Sequence, residues 1–199
     1  MKPVEVEGKT ELRGGVLNDK SYISAFRLGT YIATQFKPNV AKTIYQMTNA
    51  KRVLDTSCGW GDRLAGFFCS DAEEYIGCDP NPNTYKQYLK QIETYNSFLS
   101  QPKKVTIYNC GAEDLPWDKI DNIDCAFTSP PYFSTERYNE GGEKEENQSW
   151  FKFDEYSKWR DDFYLPVAKK SMERSKHMFV NIMDPNIKNK GYYSSDELV

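Results

Sequence analysis

Short apolar runs alternate with longer amphipathic stretches along most of the 199-residue chain. Arg52-Val53-Leu54-Asp55, Glu74 to Asp79, Lys104 to Asn109, Ile123 to Phe127 and His177 to Met183 are brief, apolar and bounded by turn residues, which predicts five short strands. Between them apolar residues recur at helical spacing. Leu64, Phe67 and Phe68 predict one helix. Tyr85, Tyr88, Leu89, Ile92, Tyr95 and Leu99 predict a second, with Asn81 as its cap and Pro82 in its first turn. Trp150, Phe153, Tyr156, Trp159, Phe163 and Val167 predict a third, long one. Upstream, Met1 to Leu17 is polar and without period. A helical pattern begins near Ser21, with Tyr22, Ile23, Phe26 and Leu28, and Gln35-Phe36-Lys37-Pro38 breaks it. Asn39 then caps a short helix carrying Val40, Ile44, Tyr45 and Met47.

Strands alternating with helices imply an α/β architecture around a parallel sheet. Right-handed crossovers then give a Rossmann-like, doubly wound, mostly parallel five-stranded sheet with the first strand beside the fourth. At this length a single domain, 1–199, is expected: an N-terminal helical segment (1–50) and a Rossmann-like core (51–184). Within it, Ser134 to Ser149 is polar, glutamate-rich and too long for a routine connection, so a mobile loop is expected at 134–149. Its acidity argues against phosphate clamping by its middle, with Arg137 the exception.

Composition narrows the picture. The formal net charge of −3 excludes a generally nucleic-acid-adhesive surface, so any such contact must be a local patch. No stretch reaches the apolar length of a membrane span, and the first residues lack a signal-peptide core. The five cysteines (Cys58, Cys69, Cys78, Cys110, Cys125) are odd in number and form no CxxC pair. They read as residues of a reducing, cytoplasmic protein, not as metal ligands, and no metal is expected. The basic end of the long helix (Lys169, Lys170, Arg174, Lys176) suits the helix dipole.

Two loops carry the candidate chemistry. The first strand runs into Asp55-Thr56-Ser57-Cys58-Gly59-Trp60-Gly61, where glycines let the backbone turn tightly and approach a ligand. A dinucleotide fingerprint would want a third glycine at Leu64, which is absent. The acid at the strand end would repel a pyrophosphate. The second strand ends in Asp79, where Rossmann-type sites place a carboxylate for the ribose hydroxyls. The other loop is Thr128-Ser129-Pro130-Pro131-Tyr132-Phe133. Two prolines have no N–H to give a ladder, so the backbone must turn there. That leaves a hydroxyl, a proline carbonyl and an aromatic ring at the carboxyl end of the fourth strand.

The Ser-Pro-Pro-Tyr turn resembles the catalytic loop of the S-adenosylmethionine-dependent DNA amino-methyltransferases, and Asp-x-Ser-x-Gly-Trp-Gly resembles the first cofactor motif of methyltransferases. The resemblance spans roughly Phe36 to Asp184. It implies a methyltransferase fold, S-adenosylmethionine as cofactor, and an enzyme that methylates an exocyclic amino nitrogen of DNA, cytosine N4 ahead of adenine N6. It implies catalytic roles for Ser129, Pro130, Pro131 and Tyr132. It implies cofactor contacts from Asp55, Ser57, Gly59, Gly61, Asp79, Pro80, Asp114 and Thr128. Phe36 either meets the methionine end of the cofactor or packs on the sheet edge, and Glu113 competes with Asp114 for the adenine. Against the family pattern, the strands after the fifth and a target-recognition domain are missing from this sequence. The expected DNA partner is therefore single-stranded or read with low specificity, with a partner subunit or second copy along the fifth strand and no membrane. An RNA or protein amino-methyltransferase, a cofactor-binding subunit without activity and a plain nucleotide-binding protein are the alternatives.

Overall fold

The computed structural model describes residues 3–6, 9–12, 35–133, 135, 137–183, 186–187 and 190–191. The chain divides into two compact units, Met1–Gln35 and Phe36–Val199. In the first, β1 (Pro3–Val6) and β2 (Lys9–Leu12) pair antiparallel. The sequence reading finds no element there, because four-residue strands are too short to establish a period. The helical pattern near Ser21 lies outside the described residues.

The second unit is built on a parallel sheet. Its strands are β3 (Arg52–Asp55), β4 (Glu74–Cys78), β5 (Lys104–Tyr108), β6 (Ile123–Thr128) and β7 (Ser175–Val180). The order is β5-β4-β3-β6-β7, all pairs parallel, so β3 and β6 meet at the switch point as expected. Helices α1 (Pro38–Met47), α2 (Asp62–Phe68) and α3 (Pro82–Ser97) belong to the first half. Side chains alternate across the sheet. Val53, Tyr75, Cys125 and Phe127 pack with Ala41, Tyr45, Leu64, Phe67 and Tyr88. Leu54, Ile76 and Ala126 face the other way, toward Trp117, Trp159, Phe163 and Val167. Both faces are thus covered, which is why the strands read as continuous apolar runs.

Several boundaries differ from the sequence reading. α1 starts at Pro38, with Lys37 as its cap and Asn39 inside the first turn; proline's fixed φ favours that first position. Leu89, expected on the buried stripe of α3, is half exposed, while Tyr88 is fully buried. The long third helix is broken into α4 (Ser149–Lys152), a turn α5 (Tyr156–Lys158), a π-helical stretch Trp159–Tyr164 and α6 (Leu165–Arg174). Pro166 lacks an N–H and cannot share regular α geometry with the carbonyl one turn back, so the backbone widens ahead of it. The fifth strand, expected at His177 to Met183, runs from Ser175 to Val180. Its partner explains the early end, since β6 stops at Thr128, two residues before the first proline. Beyond it, β8 (Asn186–Ile187) and β9 (Lys190–Gly191) form a minimal antiparallel pair.

The amino ends of the central strands are tied together by one carboxylate. Asp124 accepts the backbone N–H groups of Lys51 and Arg52, each at 2.9 Å, and the Lys176 ammonium at 2.7 Å.

Candidate active site

The carboxyl ends of β3 and β6 are joined by a buried hydrogen bond between the hydroxyls of Thr56 and Thr128, 3.1 Å apart. Two loops leave from this point. From β3, the glycine loop folds back so that Cys58 N–H donates to the Cys78 carbonyl at 3.0 Å and Gly61 N–H to the Cys58 carbonyl at 3.1 Å. Gly59 and Gly61 hold φ of 61° and 86°, the left-handed region where a side chain is strained. Gly61 is the residue before α2, and Gly59 lies exposed at the bend.

Asp55 lies beneath this loop, not on it. Its fully buried carboxylate accepts from Arg63 Nε at 2.8 Å, Arg63 Nη2 at 3.2 Å, the Tyr75 hydroxyl at 2.6 Å and Ser57 N–H at 3.1 Å. Arg63 also donates to the Ser57 carbonyl. Burial opposes the Arg63 charge, but the adjacent Asp55 carboxylate outweighs it and raises the guanidinium's pKa, so Arg63 stays charged. The acid expected beside a ligand is thus spent inside the loop. It fixes the turn that presents Ser57, whose hydroxyl donates to the Thr56 carbonyl at 2.7 Å. Phe36 packs edge-on to Phe127 at 5.6 Å, with Arg63 over its ring at 5.4 Å, which seats it at the sheet end beside the Asp55–Arg63 pair.

Asp79 follows β4 and faces the glycine loop. Its carboxylate accepts Asn81 N–H at 2.9 Å and Gly59 N–H at 3.2 Å. Burial raises its pKa to about 6, against the stabilising N–H of Asn81, the Tyr88 hydroxyl and the N–H of Gly59. Pro80 lies partly exposed between Asp79 and Asn81, whose side chain caps α3 through Asn83 N–H. After β5, Glu113 and Asp114 both bind Lys152 of α4, at 2.6 and 3.0 Å. The Glu113 side chain is 18% exposed and folds against Gly111, whereas that of Asp114 is 60% exposed. Of the two, Asp114 is the more open.

From β6, the second loop turns through Ser129, Pro130, Pro131 and Tyr132. Phe133 N–H donates to the Pro131 carbonyl at 2.9 Å and Phe133 takes φ of 52°, a costly conformation for a residue with a side chain. Its ring is buried against Tyr156 and Trp159, at 5.6 and 6.3 Å, and that burial offsets the strain. The π-helical stretch therefore anchors the turn. The Ser129 hydroxyl lies 2.8 Å from that of Tyr132, and both are met by Asn181, just beyond β7. A small, mostly apolar cleft beside the turn is lined by Thr56, Ser57, Thr128, Pro130, Phe163, Val167 and Met178.

The structure thus brings Ser57, Thr128 and Pro130 around one cleft, with Ser129 between the last two in the turn, and sets Gly59 against Asp79. Asp55 is excluded from that surface. Arg63, Phe133, Lys152 and Asn181 were not anticipated. The one signal for Asn181 was an amide interrupting an apolar run, Met178-Phe179-Val180-Asn181-Ile182-Met183. Among the described residues no group of three or more histidine, cysteine or acidic side chains is placed to hold a metal, and no helix is long and apolar enough to cross a membrane.

No protein-family model matches the chain, and no curated protein matches it. Solved structures resemble it at low identity. The N-terminal domain of EvdMO1 with SAH bound superposes with a TM-score of 0.47 at 12% identity, covering 89% of this chain and 57% of that one. A protein described as an RNA methyltransferase from Pyrococcus horikoshii gives 0.45 at 13%, covering 73% and 59%. One described as a methylase from Haemophilus influenzae gives 0.44 at 12%, covering 72% and 75%. The chain spans under three fifths of the length of the first two.

Proposed function

We propose that this chain transfers a methyl group from S-adenosylmethionine to the exocyclic amino nitrogen of a DNA base, cytosine N4 ahead of adenine N6. The observation that carries the reading is the Ser129-Pro130 turn at the carboxyl end of β6, bridged through Thr128 and Thr56 to the glycine loop. In open α/β sheets ligands bind at such a switch point.

The residues present fit the cofactor. Asp79 is a carboxylate raised by burial, held by only two backbone N–H groups, Asn81 and Gly59, and the nearby Tyr88 hydroxyl, and so is suited to accept ribose hydroxyls. Gly59 and Gly61 keep the loop backbone free of side chains, and Asp114 stands open after β5. When bound, S-adenosylmethionine supplies a methyl group activated by a sulfonium.

The chain's own task is to make a poor nucleophile attack. An amino nitrogen on an aromatic base has its lone pair delocalised into the ring. Ser129 Oγ and the Pro130 carbonyl accept its two hydrogens, which favours a tetrahedral nitrogen and stabilises the positive charge that develops. Tyr132 supports the base from its ring face after the base has left its stack. The mechanism requires no cysteine, and burial raises the thiols of Cys58, Cys78 and Cys125 and holds them protonated.

Incubation with radiolabelled methyl donor against double-stranded DNA, single-stranded DNA, RNA and protein tests the reading. Label is expected in DNA, at an amino nitrogen. Label confined to RNA or protein would move the substrate class, and label in none would remove the activity. Ser129→Ala should reduce transfer far more than cofactor binding.

A further inference from the structure

The Ser129 and Tyr132 hydroxyls and the Asn181 side-chain nitrogen form a triangle with sides of 2.8, 2.9 and 3.2 Å. The Tyr132 hydroxyl also lies 3.2 Å from the Asn181 backbone carbonyl. We infer that Asn181 sets the direction of the Ser129 hydroxyl, turning its hydrogen onto Tyr132 and leaving Ser129 an obligate hydrogen-bond acceptor toward the substrate. Asn181 is a positioning residue, and the specificity it confers is for a substrate nitrogen that carries hydrogens. This rests on the amino-methylation reading above.

The argument is a count of hydrogens. Each hydroxyl has one to donate. A carbonyl only accepts, so the Asn181 backbone oxygen draws the tyrosine hydrogen. An amide –NH₂ only donates, so the Asn181 side chain faces lone pairs of both oxygens; the near-equal sides let one N–H serve the two. With its hydrogen committed to Asn181, Tyr132 can only accept from Ser129. The serine hydrogen therefore points at Tyr132. Ser129 Oγ keeps one lone pair, and that lone pair is what an amino group requires. Were the serine hydrogen free, the same oxygen could donate to a ring nitrogen or carbonyl and hold a base by the wrong atom. The position of Asn181 is itself fixed by the sheet, because its backbone N–H donates to the Thr128 carbonyl at 2.9 Å, adjacent to Ser129.

The test separates the hydroxyl of Tyr132 from its ring. Tyr132→Phe keeps the ring and removes the acceptor of the serine hydrogen, while Asn181→Ala keeps the backbone carbonyl and removes the amide that clamps the two hydroxyls together. Each should lower kcat on the amino-bearing nucleic acid by about tenfold with the Kd for S-adenosylmethionine unchanged, since each loses a hydrogen bond used to orient and none used to bind. The double variant should be no slower than the slower single, because both act through one oxygen. Wild-type kcat in Tyr132→Phe, or additive losses, would overturn the inference. A second readout needs no turnover. In nitrogen-correlated NMR of the full chain, the Asn181 side-chain amide should shift in both Ser129→Ala and Tyr132→Phe. An amide that responds to neither overturns the inference whatever the activity. A responsive amide in a protein that methylates nothing leaves the hydrogen-bond direction standing and sinks the reaction instead.

Discussion

Asp79 carries two opposed burdens. Burial raises its pKa from 3.8 to about 6. A carboxyl raised in the folded state contributes stability that is present below its ordinary pKa and lost as pH rises through about 6. Asp79→Asn should therefore melt higher than the parent at pH 8, by about 1 kcal/mol after allowing for its partial exposure, with the gain shrinking toward pH 5. S-adenosylmethionine binding should move the other way. It should weaken as the parent is acidified through pH 6, and by about 1–3 kcal/mol in Asp79→Ala, as calorimetry would show. Gly77 is a purely structural counterpart. A Cβ there would clash with Cys58 Sγ and stand 2.9 Å from the Tyr75 ring and 3.2 Å from the Asp55 carbonyl, all buried. Gly77→Ala should cost about 1–3 kcal/mol in denaturant titration, with the glycine loop displaced. At this scale the sequence was most legible where a residue imposes its own backbone, as Gly61 and the two prolines do. It was silent where a role depends on a distant partner. Asp55 looks like a ligand-facing acid until Arg63 and Tyr75 are seen on it, and Asn181 meets Ser129 from 52 positions away.

Elements were legible in kind and less so in extent. Apolar runs bounded by turn residues located all five parallel strands; β3, β4 and β6 are buried on both faces and leave no alternation to misread, whereas β5 and β7 are only partly buried. Their ends depended on neighbours: β7 stops where β6 runs out of ladder. The aromatic stripe from Trp150 to Val167 hid one break, between Lys152 and Tyr156, and a π-helical stretch, since periodicity reports the buried face and is blind to a π turn that keeps the same face inward. Asp124 shows how strands are aligned at their amino ends. Although burial opposes its charge, Lys176 and the backbone N–H groups of Arg52 and Lys51 hold its pKa below the ordinary value. A depressed carboxyl contributes stability above its ordinary pKa and loses it as pH falls toward the folded value. Asp124→Ala should therefore cost about 2 kcal/mol at pH 7 and progressively less as the pH falls below the ordinary carboxylate range, measured by urea titration across that range.

Across the Phe36–Val199 unit, the order β5-β4-β3-β6-β7 puts β3 and β6 at the centre with neighbours on both sides. Amide hydrogen exchange should be slowest in Val53–Leu54 and Cys125–Phe127 and faster in β5 and β7, which lie at the sheet's ends among the described residues. The same order has a consequence in time. The bond that joins the two loops spans 72 residues, from Thr56 to Thr128, and the residue that orients Ser129 is made later still. Chain closure over such lengths is slow to nucleate, and little of it is rewarded before the sheet is complete. During synthesis, the glycine loop and Asp79 leave the ribosome long before anything exists for them to work with. The ability to transfer should then arrive in one step, once Asn181 has emerged and β7 has docked, so a nascent chain halted before that point should be inactive whatever its hold on the cofactor.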